Sequence, residues 1–140
     1  MTSAAKLYTP EVLALATALA QHPFDPALPF TGHARSPSCG STLAISLGLD
    51  EAGRIDALGL RPQACAIGQA SAAIFAGAAP GRTRAEIAAA AAAVESWLAG
   101  EGALPDWPGL AAIATARDYP ARHGAILLPW KAALDALPTG

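Results

Sequence analysis

Only two cysteines occur in 140 residues, too few for the disulfide framework on which small secreted domains rely. A chain of this length can bury an adequate core without such staples. Basic side chains are scarce and scattered, nine against eleven acidic ones. That leaves no clustered surface able to neutralise phosphates, so no nucleic-acid partner is expected. Long hydrophobic runs are missing as well. The longest apolar stretch, around Ala88 to Val94, is far short of the roughly 20 residues that span a bilayer, so no membrane partner is expected. The opening "MTSAAKLYTPEV" lacks the charged head and apolar run of a secretory leader, and a cytoplasmic protein with reduced thiols is expected. Internal repeats and long linkers are absent, which makes residues 1–140 a single domain. The glycines of "GAAPGR" match no phosphate-binding loop, and no Ser, His and Asp combination stands out as a nucleophilic triad.

What is present is alanine, good turn chemistry and a readable order of elements. Thr9-Pro10-Glu11 supplies a hydroxyl N-cap, proline at the first helical position and an acid in the first turn. Val12, Leu15, Ala16 and Leu19 continue at helical spacing until His22-Pro23. Residues 23–38 carry four prolines and predict a loop with a short extended piece over Phe30 to Arg35. "TLAISLGL", residues 42–49, alternates as a half-buried strand. "DEAG" supplies the turn, and "RIDALGLR", residues 54–61, returns, its alternation slipping near Ala57 in a bulge or at a poorly placed Gly59. A helix is predicted after Pro62. The capping box Thr83-Arg84-Ala85-Glu86 opens a second one to about Ala99. Asp106-Trp107-Pro108 predicts a third to about Arg117, and the last is predicted from about Ile126 to Leu137 with Pro129 in its first turn. The fold class is α+β, a small antiparallel sheet of about three strands packed against about five helices. Trp97, Trp107 and Trp130 are expected in packing, and Arg117, Arg122 and Lys131 on a solvated face or in a small basic patch.

The hairpin has a consequence for the cysteines. Position 52, inside the turn, is the midpoint of Cys39 and Cys65, so antiparallel pairing brings both to the same open end, roughly 5–9 Å apart. Cys39 precedes Gly40 in a Pro- and Ser-rich turn whose amides can point at sulfur. Cys65 falls at a helix start, where unpaired amide hydrogens favour negative charge. Two thiolates at that separation can share one metal ion or a small cluster. The alternatives are two small buried residues or a pair that forms a reversible disulfide.

These segments, in this order, resemble the NifU/IscU/SufU group of iron–sulfur cluster assembly scaffolds. "SPSCGS" is similar to that group's Pro-x-Cys-Gly-Asp loop, "LGLDEAGRIDALGLRPQACAIGQASAA" to its hairpin and second-cysteine helix, and "GRTRAEI" to its Gly-Lys-Ser/Thr…Glu segment. "ARDYPARHGAILLPWKAAL" is similar to its terminal Phe-Pro-x-Arg segment and Trp-containing helix. The gap of roughly 60 residues after Cys65 matches the longer SufU branch. The resemblance implies a scaffold or sulfur acceptor rather than an enzyme. Its cofactor would be a transient iron–sulfur cluster or Zn²⁺ on Cys39 and Cys65, and its partners a cysteine desulfurase and recipient apo-proteins; the oligomeric state stays open.

Departures from the pattern matter. Ser41 stands where the group has Asp, and Ala125 where it has a third cysteine. His123, two positions before Ala125, is the candidate replacement ligand, with His33 and Ser41 as further candidates and His22 as a partner of a helix end. A degenerate member that binds the assembly machinery without carrying a cluster is the alternative.

Overall fold

In the computed structural model residues 7–139 are described; the first six residues of the segment read above as lacking a leader lie outside them. Thr9 caps helix α1 (Pro10–Ala18), its hydroxyl accepting the Val12 amide at 3.1 Å. Pro10 occupies the first turn, where an amide hydrogen is not needed. A 3₁₀ turn, Leu19–Gln21, ends the run at His22. Strands β1 (Phe30–Arg35), β2 (Thr42–Leu49) and β3 (Ile55–Gln63) form one antiparallel sheet in the order β1-β2-β3. Helices α2 (Ala66–Ala78), α3 (Arg84–Leu98) and α4 (His123–Ala136) follow. The α+β architecture read from the sequence is the one observed.

The expected short extended piece is a full edge strand, paired from Phe30–Leu47 to Arg35–Thr42. Its backbone lies directly on α4. A Cβ at Gly32 would sit 2.5 Å from the Ala136 nitrogen and 2.7 Å from the Ala132 oxygen, so only glycine permits that approach. The β2–β3 ladder slips where Gly48 pairs with Ala57 and Leu49 with Ile55, leaving Asp56 as the extra residue of a bulge. Gly59 is not poorly placed. Segment 22–25 crosses the sheet there, with the Leu60 amide donating to the His22 carbonyl at 2.8 Å and the Asp25 amide to Ser46 Oγ at 3.0 Å. A side chain at position 59 would meet the Pro23 oxygen at 2.2 Å.

The capping box forms as predicted, the Thr83 hydroxyl accepting the Glu86 amide and the Glu86 carboxylate accepting the Thr83 amide. Two helical expectations change. The segment after Trp107 is a kinked 3₁₀ path, Leu110–Asp118, rather than an α-helix. Trp107 is committed to the core. Its Nε1 donates to the Ile74 carbonyl at 3.0 Å, and its ring stacks on Phe75 at 5.5 Å. Gly109 then turns through φ +87°, which breaks helical continuity. The final helix starts earlier than expected, at His123 after the 3₁₀ turn Pro120–Arg122, so Pro129 lies inside it. Pro129 cannot donate to the carbonyl of Ala125, and nearby the Ser71 hydroxyl of α2 donates to the Ile126 carbonyl at 2.6 Å. Trp130 meets Phe75 and Trp107 edge-on, at 5.5 and 5.2 Å, and all three tryptophans are buried.

Candidate functional site

Six residues, Ser36–Ser41, join β1 to β2 and carry Cys39. The loop is closed at its base, the Ser36 amide donating to the Ser41 carbonyl and the Gly40 amide to the Ser36 carbonyl, both at 2.8 Å. Gly40 takes φ +72°, a conformation that glycine reaches without Cβ strain. Cys39 sits at the exposed rim, but its neighbours do not: Ser36 and Ser41 are buried. The thiol lies 3.1 Å from Ser41 Oγ and 3.4 Å from Ser36 Oγ. Partial burial is the largest single influence on this thiol and pushes its pKa up. The hydroxyls of Ser36 and Ser41, the Ser41 amide and the charge of Arg122 together outweigh it and hold the thiol below its ordinary value.

Cys65 is the N-cap residue of α2. Its carbonyl accepts the Gln69 amide at 2.9 Å and its side chain is half-buried. The β2–β3 ladder ends with Thr42 opposite Gln63. Cys39 and Cys65 both lie just beyond that end, three and two residues from the last paired positions. Both cysteines are free thiols.

The start of α4 wedges between the two cysteine-bearing segments. On one side, a Cβ at Gly124 would lie 2.3 Å from Ser36 Oγ and 3.5 Å from Ser38 Oγ. Ser38 Oγ donates to the Ala121 carbonyl at 3.4 Å. On the other side, Ala125 is fully buried, and a Cβ at Gly68 in the first turn of α2 would lie 3.4 Å from its methyl. Arg122 sits between these contacts. Its Nη2 donates to the Tyr8 hydroxyl at 3.5 Å, and its Nε is buried with no hydrogen-bond partner among the described residues. Tyr8 is the main influence holding its guanidinium in the charged form, and the charges of Cys65 and Cys39 add to it. A cavity of about 340 Å³ lined by Leu7, Tyr8, Pro120 and Arg122 among others opens here.

The other candidates lie as follows. His123 begins α4, and its Nε2 is 2.7 Å from the Arg117 carbonyl, a bond that ties the helix start to the preceding 3₁₀ path. His33 is turned toward Asp135, its Nδ1 4.0 Å from the carboxylate while its amide donates to the same oxygen at 3.0 Å. Ser41 contacts Cys39 through its hydroxyl. His22 serves through its backbone, donating to the Leu19 carbonyl at 2.9 Å. Among the described residues no group of three or more His, Cys, Asp or Glu side chains is arranged to hold a metal ion. The same residues contain no helix long and apolar enough to cross a membrane. Sequence reasoning overlooked Ser36, Tyr8 and Gly124, and did not connect Arg122 to the thiols. The pair of serines flanking Cys39 in "SPSCGS" was a usable signal; nothing local marked Tyr8.

No protein-family model matches this sequence, and no curated protein matches it. Solved structures do. A nitrogen-fixing NifU-like protein (N-terminal) from Brucella abortus is 27% identical, with a TM-score of 0.86 over 96% of this chain and 94% of that one. A SUF-system protein from Fervidobacterium islandicum, assigned as an iron–sulfur cluster assembly scaffold, is 22% identical, with a TM-score of 0.83 over 95% and 98%. The resemblance drawn from the quoted segments is thus matched in three dimensions, and the chain has the α+β fold of NifU N-terminal and SufU proteins.

Proposed function

We propose that this protein serves iron–sulfur cluster assembly as a scaffold or sulfur acceptor rather than as an enzyme, with Cys39 and Cys65 as its working thiols. The observation that carries the reading is the packing of the α4 start against both cysteine-bearing segments at one open end of the sheet, in a fold shared with a NifU-like protein. Its sulfur donor would be a cysteine desulfurase and its recipients apo-proteins, in the cytoplasm. In sulfur acceptance the Cys39 thiolate attacks the outer sulfur of a donor persulfide. A new S–S bond forms on Cys39, the donor's S–S bond breaks, and the donor cysteine leaves as thiolate. A thiol held below its ordinary pKa suits this step, and the hydroxyls of Ser36 and Ser41 help to hold it there.

The donor set favours cargo over a resident metal. Structural zinc takes four protein ligands and catalytic zinc three, and among the described residues no three His, Cys, Asp or Glu side chains are grouped to hold a metal ion. Zinc therefore does not fit the residues as they stand. An iron–sulfur cluster held by two thiolates would be loosely bound, which a cluster to be handed on requires. The test is anaerobic reconstitution of the full chain with iron and sulfide, followed by visible absorption and iron-to-protein ratio. Cys39→Ala and Cys65→Ala should each lose most of the bound iron; equal loading in parent and variants would refute the assignment. The loss of Asp and Cys at positions 41 and 125 favours a second reading, a module that docks on the assembly machinery without cargo. A metal-free chain that still captures a desulfurase, with neither thiol needed, would support it.

A further inference from the structure

The inner face of the sheet, with Leu43, Ile45 and Leu47, is fully buried, whereas the outer face is only partly covered. Register sets three cross-strand rows on that outer face: Thr31–Ser46–Gly59, His33–Ala44–Arg61 and Arg35–Thr42–Gln63. Segment 22–25 closes the first row, with the Asp25 amide on Ser46 Oγ and the Pro23 carbonyl pressed against Gly59. The other two rows stay open. His33, Arg35, Arg61 and Gln63 are exposed, and Thr42 and Ala44 between them are partly so. These rows run out at the cysteines, Arg35 directly preceding the Ser36–Ser41 loop and Gln63 lying two residues before Cys65. Neither row holds an acid. Asp135 borders them and accepts the His33 amide at 3.0 Å, with His33 Nδ1 4.0 Å away. Asp25 turns its carboxylate to the Ala27 amide at 2.9 Å. Neither arginine has a carboxylate partner among the described residues. The Arg61 guanidinium lies 4.3 Å from the centroid of the Phe24 ring, a contact that holds the charge without consuming an N–H. In a chain with eleven acidic and nine basic side chains, this face inverts the overall sign.

We propose that this open half of the sheet docks an acidic segment of a protein partner, its carboxylates seated on Arg35 and Arg61. The two arginines stand on the outer strands β1 and β3, one side-chain repeat apart along the sheet and two strand spacings across it. That separates them by about 12 Å, the distance that carboxylates four residues apart span on an extended chain. Each guanidinium can hold a carboxylate through two parallel N–H bonds, and the Thr42 hydroxyl and Gln63 amide stand between and beside them as further donors. Two such charges are too few to neutralise a nucleic-acid backbone, which favours a protein. The inference goes beyond the proposed function, because docking here needs neither thiol. It brings the partner's acidic segment alongside the loop where Cys39 is exposed.

The test titrates the isotope-labelled full chain with hexaglutamate and follows the amide chemical shifts, with hexalysine and a hexathymidylate oligonucleotide as comparison probes. The amides of Arg35, Thr42, Ala44, Arg61 and Gln63 should shift together and saturate with hexaglutamate, and should hardly move with hexalysine. Added salt should weaken the binding. Arg35→Gln and Arg61→Gln should each weaken it about threefold, the scale of an exposed ion pair. The double reversal, Arg35→Glu with Arg61→Glu, should abolish it, and Arg54→Gln, beside the hairpin turn at the far end of the sheet, should bind as the parent does. Parent-like shifts at Leu43, Ile45 and Leu47 in every variant would show that the fold is kept. Hexaglutamate shifts spread over the whole surface, or parent-like binding by the double reversal, would overturn the proposal. Tighter binding of the oligonucleotide to the same face would also overturn it and mark a nucleic-acid surface instead. Reconstitution with iron and sulfide keeps this outcome apart from the proposed function, because the double reversal should load as the parent does. Saturable hexaglutamate binding by a parent chain that loads no iron would leave the docking face standing while the cargo role falls.

Discussion

Gly124→Ala tests the contact on which the site's geometry turns. In an open helical position this change stabilises, since glycine costs a helix up to about 1 kcal/mol relative to alanine. Here the new methyl would lie 2.3 Å from Ser36 Oγ and 3.1 Å from Ser36 Cβ. Rotating Ser36 away is no simple escape, because the residue is buried and its hydroxyl serves both Cys39 and Ser38. Moving its backbone would break the two bonds that close the loop. Overpacking of this kind costs about 1–3 kcal/mol, so the steric effect wins and a net loss of about 1–2 kcal/mol is expected after the helix-propensity gain. Urea unfolding should show it as a midpoint lowered by roughly 0.5–1 M. Gly77→Ala is the control: position 77 is exposed near the end of α2, a Cβ there meets nothing within 4 Å, and the variant should be as stable as the parent or slightly more so. A Gly124→Ala protein no less stable than the parent would refute the tight docking of α4 on the cysteine loop.

Two further outcomes follow from the same geometry. The alkylation rate of Cys39 by iodoacetamide, which tracks thiolate, should rise at lower pH than for an ordinary cysteine. Ser41→Ala should move that profile toward higher pH, since the hydroxyl stabilises the charged form. The sign for stability is that of a group with a lowered folded pKa: the contribution is present above the unfolded value and is lost as pH falls through the folded one. Ala125→Cys should raise the iron-to-protein ratio after anaerobic reconstitution by adding a third sulfur beside the first turn of α2. Because Ala125 is fully buried against Gly68, the same variant should lose about 1–3 kcal/mol of stability. An unchanged iron ratio in a folded Ala125→Cys protein would argue that position 125 does not face the thiols.

Local chemistry made much of this protein legible in one dimension. Thr9 before Pro10, Thr83 before Glu86, the alternation over residues 42–49 and the turn at 50–53 each act within a few residues of themselves, and each formed where it was read. The symmetric placement of Cys39 and Cys65 about that turn needed only antiparallel pairing to become a spatial statement. Elsewhere the deciding contacts are long-range. Phe30–Arg35 is a full strand because β2 accepts it on one side and α4 covers it. Trp107 abandons a helix start because Ile74 and Phe75 hold its ring. His123 bonds to a carbonyl six residues earlier, and Arg122 reaches the Tyr8 hydroxyl 114 positions away in the chain. Caps and periods depend on neighbours along the chain and so determine the elements. Which donors surround a sulfur depends on how closely two backbones can approach, and here a missing Cβ at Gly124, decided only on packing, brings the α4 start carrying Arg122 against the cysteine loop.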